Sequence, residues 1–218
     1  MSKLHLVIGN KNYSSWSLRP WMALTMAGIP FGETVVLLDR PDTGRKIAAH
    51  SPSGRVPVLK DGKLVVWESL AILEYLADRF PKKNLWPQKA DARAMARAVS
   101  CEMHAGFSAL RNACPMNLRR PIRPVPLSAA VRKDVARIEE LWRDCRKQFG
   151  KGGRFLFGGF SNADAMFAPV VTRFDTYAIK VAPDTRAYMD AMLATPAFQK
   201  WRAAALKEKW VVPSDEVD

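Results

Sequence analysis

The segment from residue 55 to residue 79 constrains the fold more tightly than any other. Arg55-Val56-Pro57-Val58-Leu59 and Leu64-Val65-Val66-Trp67 are short runs rich in strand formers. Asp61-Gly62 lies between them, a dipeptide suited to a type I′ hairpin turn, where both central residues need positive φ. Ser69–Arg79 then places Leu70, Ile72, Leu73 and Leu76 at helical spacing. A hairpin that runs straight into a helix makes this part of the chain a mixture of strand and helix. The residues upstream extend the mixture. Leu4–Ile8 reads as a buried strand, and Ser17–Ala27 as a helix stopped by Gly28 with Pro30 beyond. Thr34–Leu38 reads as a second strand and Thr43–His50 as a short helix. The expected order is β-α-β-α-β-β-α.

Residues 81–90 carry Pro81 and Pro87 and read as a linker. Beyond them no strand pair is evident. Helices are expected over Asp91–Asn112, Ser128–Phe149, Ser161–Ala178, Pro183–Leu193 and Pro196–Ala205, with four prolines between 115 and 126 breaking the chain after the first. The fold class is therefore α/β plus all-α, with an α/β domain over 1–80, a linker over 81–90 and an all-helical domain over 91–218.

Composition removes several classes. The chain is 48% hydrophobic and 25% charged, the balance of a soluble globular protein. No apolar run approaches the roughly 18–20 residues that span a bilayer, and the start, Met1 to Gly9, holds a strand-like run and no signal peptide. Membrane association is not expected. Cys101, Cys114 and Cys145 are odd in number and widely spaced, which makes no disulfide framework and fits a reducing cytoplasm. The net charge is +13, and its largest local excess lies in residues 111–154, with 12 basic and 4 acidic side chains. No Lys/Arg block, RNA-recognition signature or zinc finger accompanies it, so specific nucleic-acid binding is not expected and the excess reads first as a solvated face.

Several residues combine in ways that suit chemistry. Ser14, Ser15 and Ser17 lie where the first helix begins, and all three are good N-cap residues. Pro20 is expected in the first helical turn, which places the start near Ser17 and leaves Ser14 and Ser15 in the loop. Glu68-Ser69 opens the third helix. Ser69 can cap it, or its hydroxyl and the neighbouring N–H groups can hold a carboxylate while Glu68 takes an ammonium. Ser161 and Asp164 have the spacing of a capping box, a folding device. Cys101 and His104 lie three apart on a helix, but His5 and His50 are isolated, so no metal site is expected.

Four patterns together carry a resemblance: Ser14-Ser15-Trp16-Ser17-Leu18-Arg19, Gly54-Arg55-Val56-Pro57-Val58-Leu59, Trp67-Glu68-Ser69-Leu70-Ala71-Ile72, and Phe157-Gly158-Gly159-Phe160-Ser161-Asn162-Ala163-Asp164. Over essentially its whole length the chain resembles the glutathione S-transferase superfamily. Its serine run is most similar to the zeta class, the maleylacetoacetate isomerases, with two departures: Trp16 stands where the class has cysteine, and Pro20 follows the arginine.

The resemblance implies a thioredoxin-like N-terminal domain, a C-terminal helical bundle and a homodimer. It implies glutathione as co-substrate, no metal, and a small hydrophobic or anionic electrophile as partner. Ser14 is expected to activate the thiol, with Ser15 second. Glutathione-binding roles are expected for Ser14, Ser17, Val56 beside a cis Pro57, Glu68 and Ser69, with Arg45, Lys46 and Arg55 left open as the cation for the glycyl carboxylate. Tyr13, Trp16, Met103, Phe107 and Arg111 are candidates for the electrophile pocket, and the Arg119-Arg120-Arg123 cluster points to an anionic substrate. Because no cysteine precedes residue 101, a mixed-disulfide mechanism is not expected. The expected reaction is thiolate attack on an electrophile or isomerisation of an unsaturated acid. The alternative is a non-catalytic binding or interaction module of the same fold, with an acidic partner.

Overall fold

The computed structural model describes residues 3–217; Met1, Ser2 and Asp218, at the outer ends of the two expected domains, lie outside the described residues. The chain opens β1 (Leu4–Ile8), α1 (Ser15–Met26), β2 (Phe31–Val35), α2 (Thr43–Ala48), β3 (Val58–Asp61), β4 (Leu64–Trp67) and α3 (Ser69–Arg79). The sheet order is β2-β1-β3-β4. β1 and β2 are parallel, Leu4 facing Phe31, whereas β3 runs antiparallel to both β1 and β4. Both sheet faces are covered. Leu4, Leu6 and Ile8 of β1 enter the main core, and Val7 turns the other way to join Val36, Ile47 of α2 and Val58.

Six helices follow: α4 (Ala90–Ala105), α5 (Ser108–Ala113), α6 (Ala129–Phe149), α7 (Asn162–Thr176), α8 (Pro183–Leu193) and α9 (Pro196–Ala205). α7 is buried along nearly its whole length and packs against α1 and α4. A continuous apolar cluster joins Leu18 and Met22 of α1 to Phe167 of α7, Trp142 of α6 and Trp201 of α9, so the α/β part and the helical part share one core. The Ser161–Asp164 capping box is formed, with Asp164 accepting from the Ser161 N–H at 2.8 Å. Among the described residues no helix is long and apolar enough to cross a membrane.

Four local expectations need correction. β2 occupies Phe31–Val35, three residues before the expected Thr34–Leu38, because the ladder with β1 pairs Leu4 with Phe31 and Ile8 with Val35. α1 begins at Ser15, two residues before the expected Ser17, so Ser15 is helical and Pro20 lies inside the helix. Pro20 removes the N–H that would bond the Trp16 carbonyl, and the packing of α1 against α7 outweighs that loss. The expected helix over 91–112 breaks at Gly106 and Phe107, the latter at φ 61°, dividing it into α4 and α5. The β3–β4 loop is Gly62-Lys63, and of the two only Gly62 has positive φ, at 61°. That pattern fits a type II′ turn instead of type I′.

All three cysteines are free, Cys101 exposed and the others buried. Burial pushes the Cys114 thiol up to about 11 and that of Cys145 to about 12. Reductant should therefore leave both melting temperature and activity unchanged; a loss of either in dithiothreitol would reveal a disulfide that this fold does not contain.

Candidate functional site

A cavity of about 250 Å³ opens between the sheet end and α4, lined by Trp16, Arg55, Val56, Pro57, Glu68 and His104. Five of these six come from the α/β part and His104 from α4. The Val56–Pro57 peptide is cis. The β3 ladder begins only at Val58, so the backbone of Val56 lies outside it, at the cavity wall. Glu68 precedes α3 with φ 67° and ψ 125°, a conformation uncommon for a residue with a side chain. Its carboxylate does not cap the helix; Oε2 faces His104 Nε2 at 3.6 Å.

The three serines separate in role. Ser14 is the N-cap residue of α1, yet its side chain makes no capping bond. Instead its hydroxyl donates to Ser17 Oγ at 2.8 Å, which also accepts from the Gly9 N–H at 3.1 Å. Ser14 is 6% exposed and Ser17 fully buried, and neither is among the cavity-lining residues; Ser17 lies the deeper of the two. It supports Ser14 from behind. Ser17 thus accepts from both the Gly9 N–H and the Ser14 hydroxyl, and because a hydroxyl can rotate, the Ser14 proton must swing away from Ser17 to reach a ligand. Gly9 gives Ser14 room: a Cβ there would lie 3.0 Å from Ser14 Oγ and 2.8 Å from Leu38 Cδ1. Ser15 sits in the first turn of α1 and is buried.

Ser69 is also buried, and its Oγ accepts from Arg19 Nη1 at 3.2 Å. The Ser69 hydroxyl proton therefore remains available as a donor. Arg19 itself is 1% exposed, and its Nε has no partner among the described residues. Its guanidinium stacks over Trp16 at 4.1 Å, and that of Arg111 lies over the same ring at 4.8 Å. Burial, followed by repulsion from Arg111 and Arg173, pulls the Arg19 pKa well below its usual value, while Glu68 acts in the opposite direction. Burial and the two nearby arginines, Arg19 and Arg111, also lower the His104 pKa, against Glu68. Its imidazole is thus neutral at pH 7. The site has a positive interior beneath one exposed carboxylate.

The remaining candidates lie elsewhere. Arg45 and Lys46 are exposed on α2, and Lys46 pairs with Asp42 at 2.8 Å; of the three candidate cations only Arg55 lines the cavity. Met103 and Phe107 are buried in the core, outside the cavity wall. Arg111 closes the end of α4, donating to the carbonyls of Met103, His104 and Gly106. Tyr13 does not reach the cavity wall either: its hydroxyl donates to Glu216 and accepts from Arg119. Arg119 and Arg120 are committed to carbonyls of the C-terminal residues, which removes the basis for reading them as an anion site. Sequence reasoning missed His104, taken only as half of a metal pair, although it adjoins Met103 in the apolar stripe. Arg19, which the sequence shows only as the end of the serine motif, has no carboxylate within salt-bridge distance among the described residues.

The comparisons agree with this architecture. Residues 13–79 match the family description "Glutathione S-transferase, N-terminal domain", and residues 128–204 match "Glutathione S-transferase, C-terminal domain". Glutathione S-transferase 3 of Zea mays is 30% identical over 168 residues, covering 72% of this chain and 74% of that one. Maleylacetoacetate isomerase of Rattus norvegicus is 28% identical over 194 residues, covering 85% and 87%. A solved glutathione transferase homolog from Burkholderia, with bound glutathione, superposes with a TM-score of 0.71 at 21% identity, covering 93% of this chain and 98% of that one. The chain belongs to the glutathione S-transferase family.

Proposed function

We propose that this protein binds glutathione in the cavity between α1, α3 and α4, ionises its thiol, and presents the thiolate to a small hydrophobic or anionic electrophile. The observation that carries this reading is the convergence of Glu68, the unladdered backbone of Val56 and the ring of Trp16 on one cavity.

The chemistry follows from the donors and acceptors. Glu68 takes the γ-glutamyl ammonium, and the start of α3 with the Ser69 hydroxyl takes the adjacent carboxylate. Arg19 behind Ser69 reinforces that anion site. Val56 pairs its N–H and C=O with the cysteinyl residue, as an added strand would. Arg55 takes the glycyl carboxylate. The thiol then falls toward the N-terminus of α1. A free thiol has a pKa of about 8.5, so near pH 7 only a small fraction is ionised. A hydroxyl donated by Ser14, together with the positive end of α1, stabilises the thiolate. The positive charge of Arg19 and Arg111 around Trp16 favours an electrophile bearing a carboxylate. Conjugation or isomerisation of an unsaturated acid fits this arrangement, because thiolate addition to an activated double bond permits rotation before elimination. The reading includes a homodimer in a reducing cytoplasm, supported by the exposed apolar side chains of Leu64, Trp67 and Met95.

Calorimetric titration tests it. Glutathione should bind the wild-type protein, and Glu68→Ala should weaken binding by roughly 10- to 100-fold, the worth of a charge-assisted hydrogen bond of about 1.5–3 kcal/mol. A dissociation constant that Glu68→Ala leaves unchanged would exclude this site for glutathione.

A further inference from the structure

The residues after α9 run back against the loop that joins β1 to α1. The Glu208 carboxylate bridges two consecutive amides there: Oε1 accepts from the Lys11 N–H at 2.7 Å and Oε2 from the Asn12 N–H at 3.0 Å. Arg119 fastens this stretch to the loop. Its Nη1 donates to the Glu208 carbonyl at 2.5 Å, and its Nη2 to the Trp210 carbonyl at 2.6 Å and to the Tyr13 hydroxyl at 2.7 Å. The Tyr13 hydroxyl in turn donates to Glu216. Trp201 of α9 donates its ring N–H to the Lys11 carbonyl at 2.9 Å. Every residue between Asn10 and Ser14 is thus held by side chains from the last part of the fold. Asn12 is also bound by Asn117, at 2.9 Å between their side chains.

We infer that Glu208 is a positioning residue for the thiol-activating serine, fixing the backbone from which Ser14 projects. This rests on the role proposed for Ser14. The loop between β1 and α1 has no ladder of its own after Ile8, and Lys11 and Asn12 follow directly on Asn10, whose carbonyl accepts from the Ser14 N–H at 2.8 Å. A two-oxygen acceptor gripping both amides sets the peptide planes leading into Ser14, and through them the place of its Oγ beside Ser17. A directed donor loses much of its effect when displaced by about 1 Å, so the grip acts on thiol ionisation more than on binding. The charge of Glu208 works against a thiolate nearby. Its benefit is therefore geometric, which separates it from an electrostatic role.

The test compares Glu208→Ala, Glu208→Gln and Ser14→Ala through the pH dependence of thiolate absorbance by bound glutathione and through turnover. Glu208→Ala should raise the bound thiol pKa by about one unit, a roughly tenfold fall in thiolate near neutral pH, with little change in glutathione affinity. Amide exchange at Lys11 and Asn12 should quicken. Glu208→Gln keeps one acceptor and should fall between. A thiol pKa lowered in Glu208→Gln would overturn the inference in favour of a purely electrostatic effect. A lowered melting temperature with an unmoved pH profile in both Glu208 variants, while Ser14→Ala shifts it, would overturn the positioning role and leave serine activation standing. An unmoved profile in all three would overturn serine activation and the inference together. Should Glu208→Ala fail to fold, Glu208→Gln and Tyr13→Phe carry the same comparison, and an unmoved profile in both overturns the inference.

Discussion

Replacing Ser14 with alanine should reduce turnover near pH 7 by roughly ten- to hundredfold, corresponding to one to two pKa units of lost thiolate stabilisation. Glutathione affinity should change far less, because in the proposed site Glu68 and Ser69 would hold the γ-glutamyl end, Val56 the cysteinyl backbone and Arg55 the glycyl carboxylate, leaving Ser14 to address only the sulfur. Much of the lost activity should return at higher pH, where the thiol ionises unaided. Ser17→Ala should give a milder version of the same profile. It removes the hydroxyl that accepts from Gly9 and orients Ser14, without touching the ligand. Ser15→Ala is the control within the first turn. The decisive measurement is the thiolate absorbance of bound glutathione against pH for the three variants. If none moves it, serine activation is wrong and the cluster serves only the fold.

The second large effect concerns stability. Asp164 is completely buried and accepts from the N–H of Ser161 at 2.8 Å, the Ser161 hydroxyl at 2.9 Å, the N–H of Leu156 at 3.1 Å and the Tyr188 hydroxyl at 3.2 Å. Asp164→Ala strands these donors at the start of the most deeply buried helix. The expected loss is roughly 4 kcal/mol of unfolding free energy, read from the urea midpoint. Burial also pushes the Asp164 pKa up to about 6, outweighing the hydrogen bonds that favour its anion. The sign follows from proton uptake on folding. The unfolded carboxyl titrates near 4 and the folded one near 6, so its contribution is full at low pH and is lost as pH rises through about 6. The stability advantage of wild type over Asp164→Asn should accordingly shrink between pH 4 and 6 and level off above. A difference that stays constant across that range would show that Asp164 is not the titrating group.

Much of this was legible in short stretches of sequence. The near-continuous apolar run Leu4–Ile8 marks a strand covered on both faces, and the prolines opening α8 and α9 mark those starts because the first helical turn tolerates a missing N–H. Glu68, Val56, Trp16 and Arg55 could be nominated because each lies in a local pattern. What escaped depends on distant partners. The N-terminus of α5 is helped by Asp134 of α6, whose carboxylate accepts from the Leu110 N–H at 3.0 Å; Gly106 is a stop signal like Gly28, but the apolar spacing runs straight through it. Pro20 misplaced the start of α1 because tertiary packing overrode a local rule. His104 and Arg19 acquire meaning only once α4 and α1 meet around Trp16. Arg119 looked like a substrate contact from its basic neighbours, and only the return of the C-terminal residues reveals what it holds.

That return has a consequence for how the protein is made. Trp201 and Glu208 leave the ribosome some 190 residues after Lys11 and Asn12. At about 5–20 residues per second this is an interval of roughly 10–40 s. During it the sheet and first helices can form, but the loop ahead of Ser14 lacks the groups that bind its amides and carbonyls. The loop ahead of Ser14 therefore gains its full set of contacts only once residue 208 has been made, and a chain released before it would carry the cavity-lining residues without the contacts that Glu208 completes.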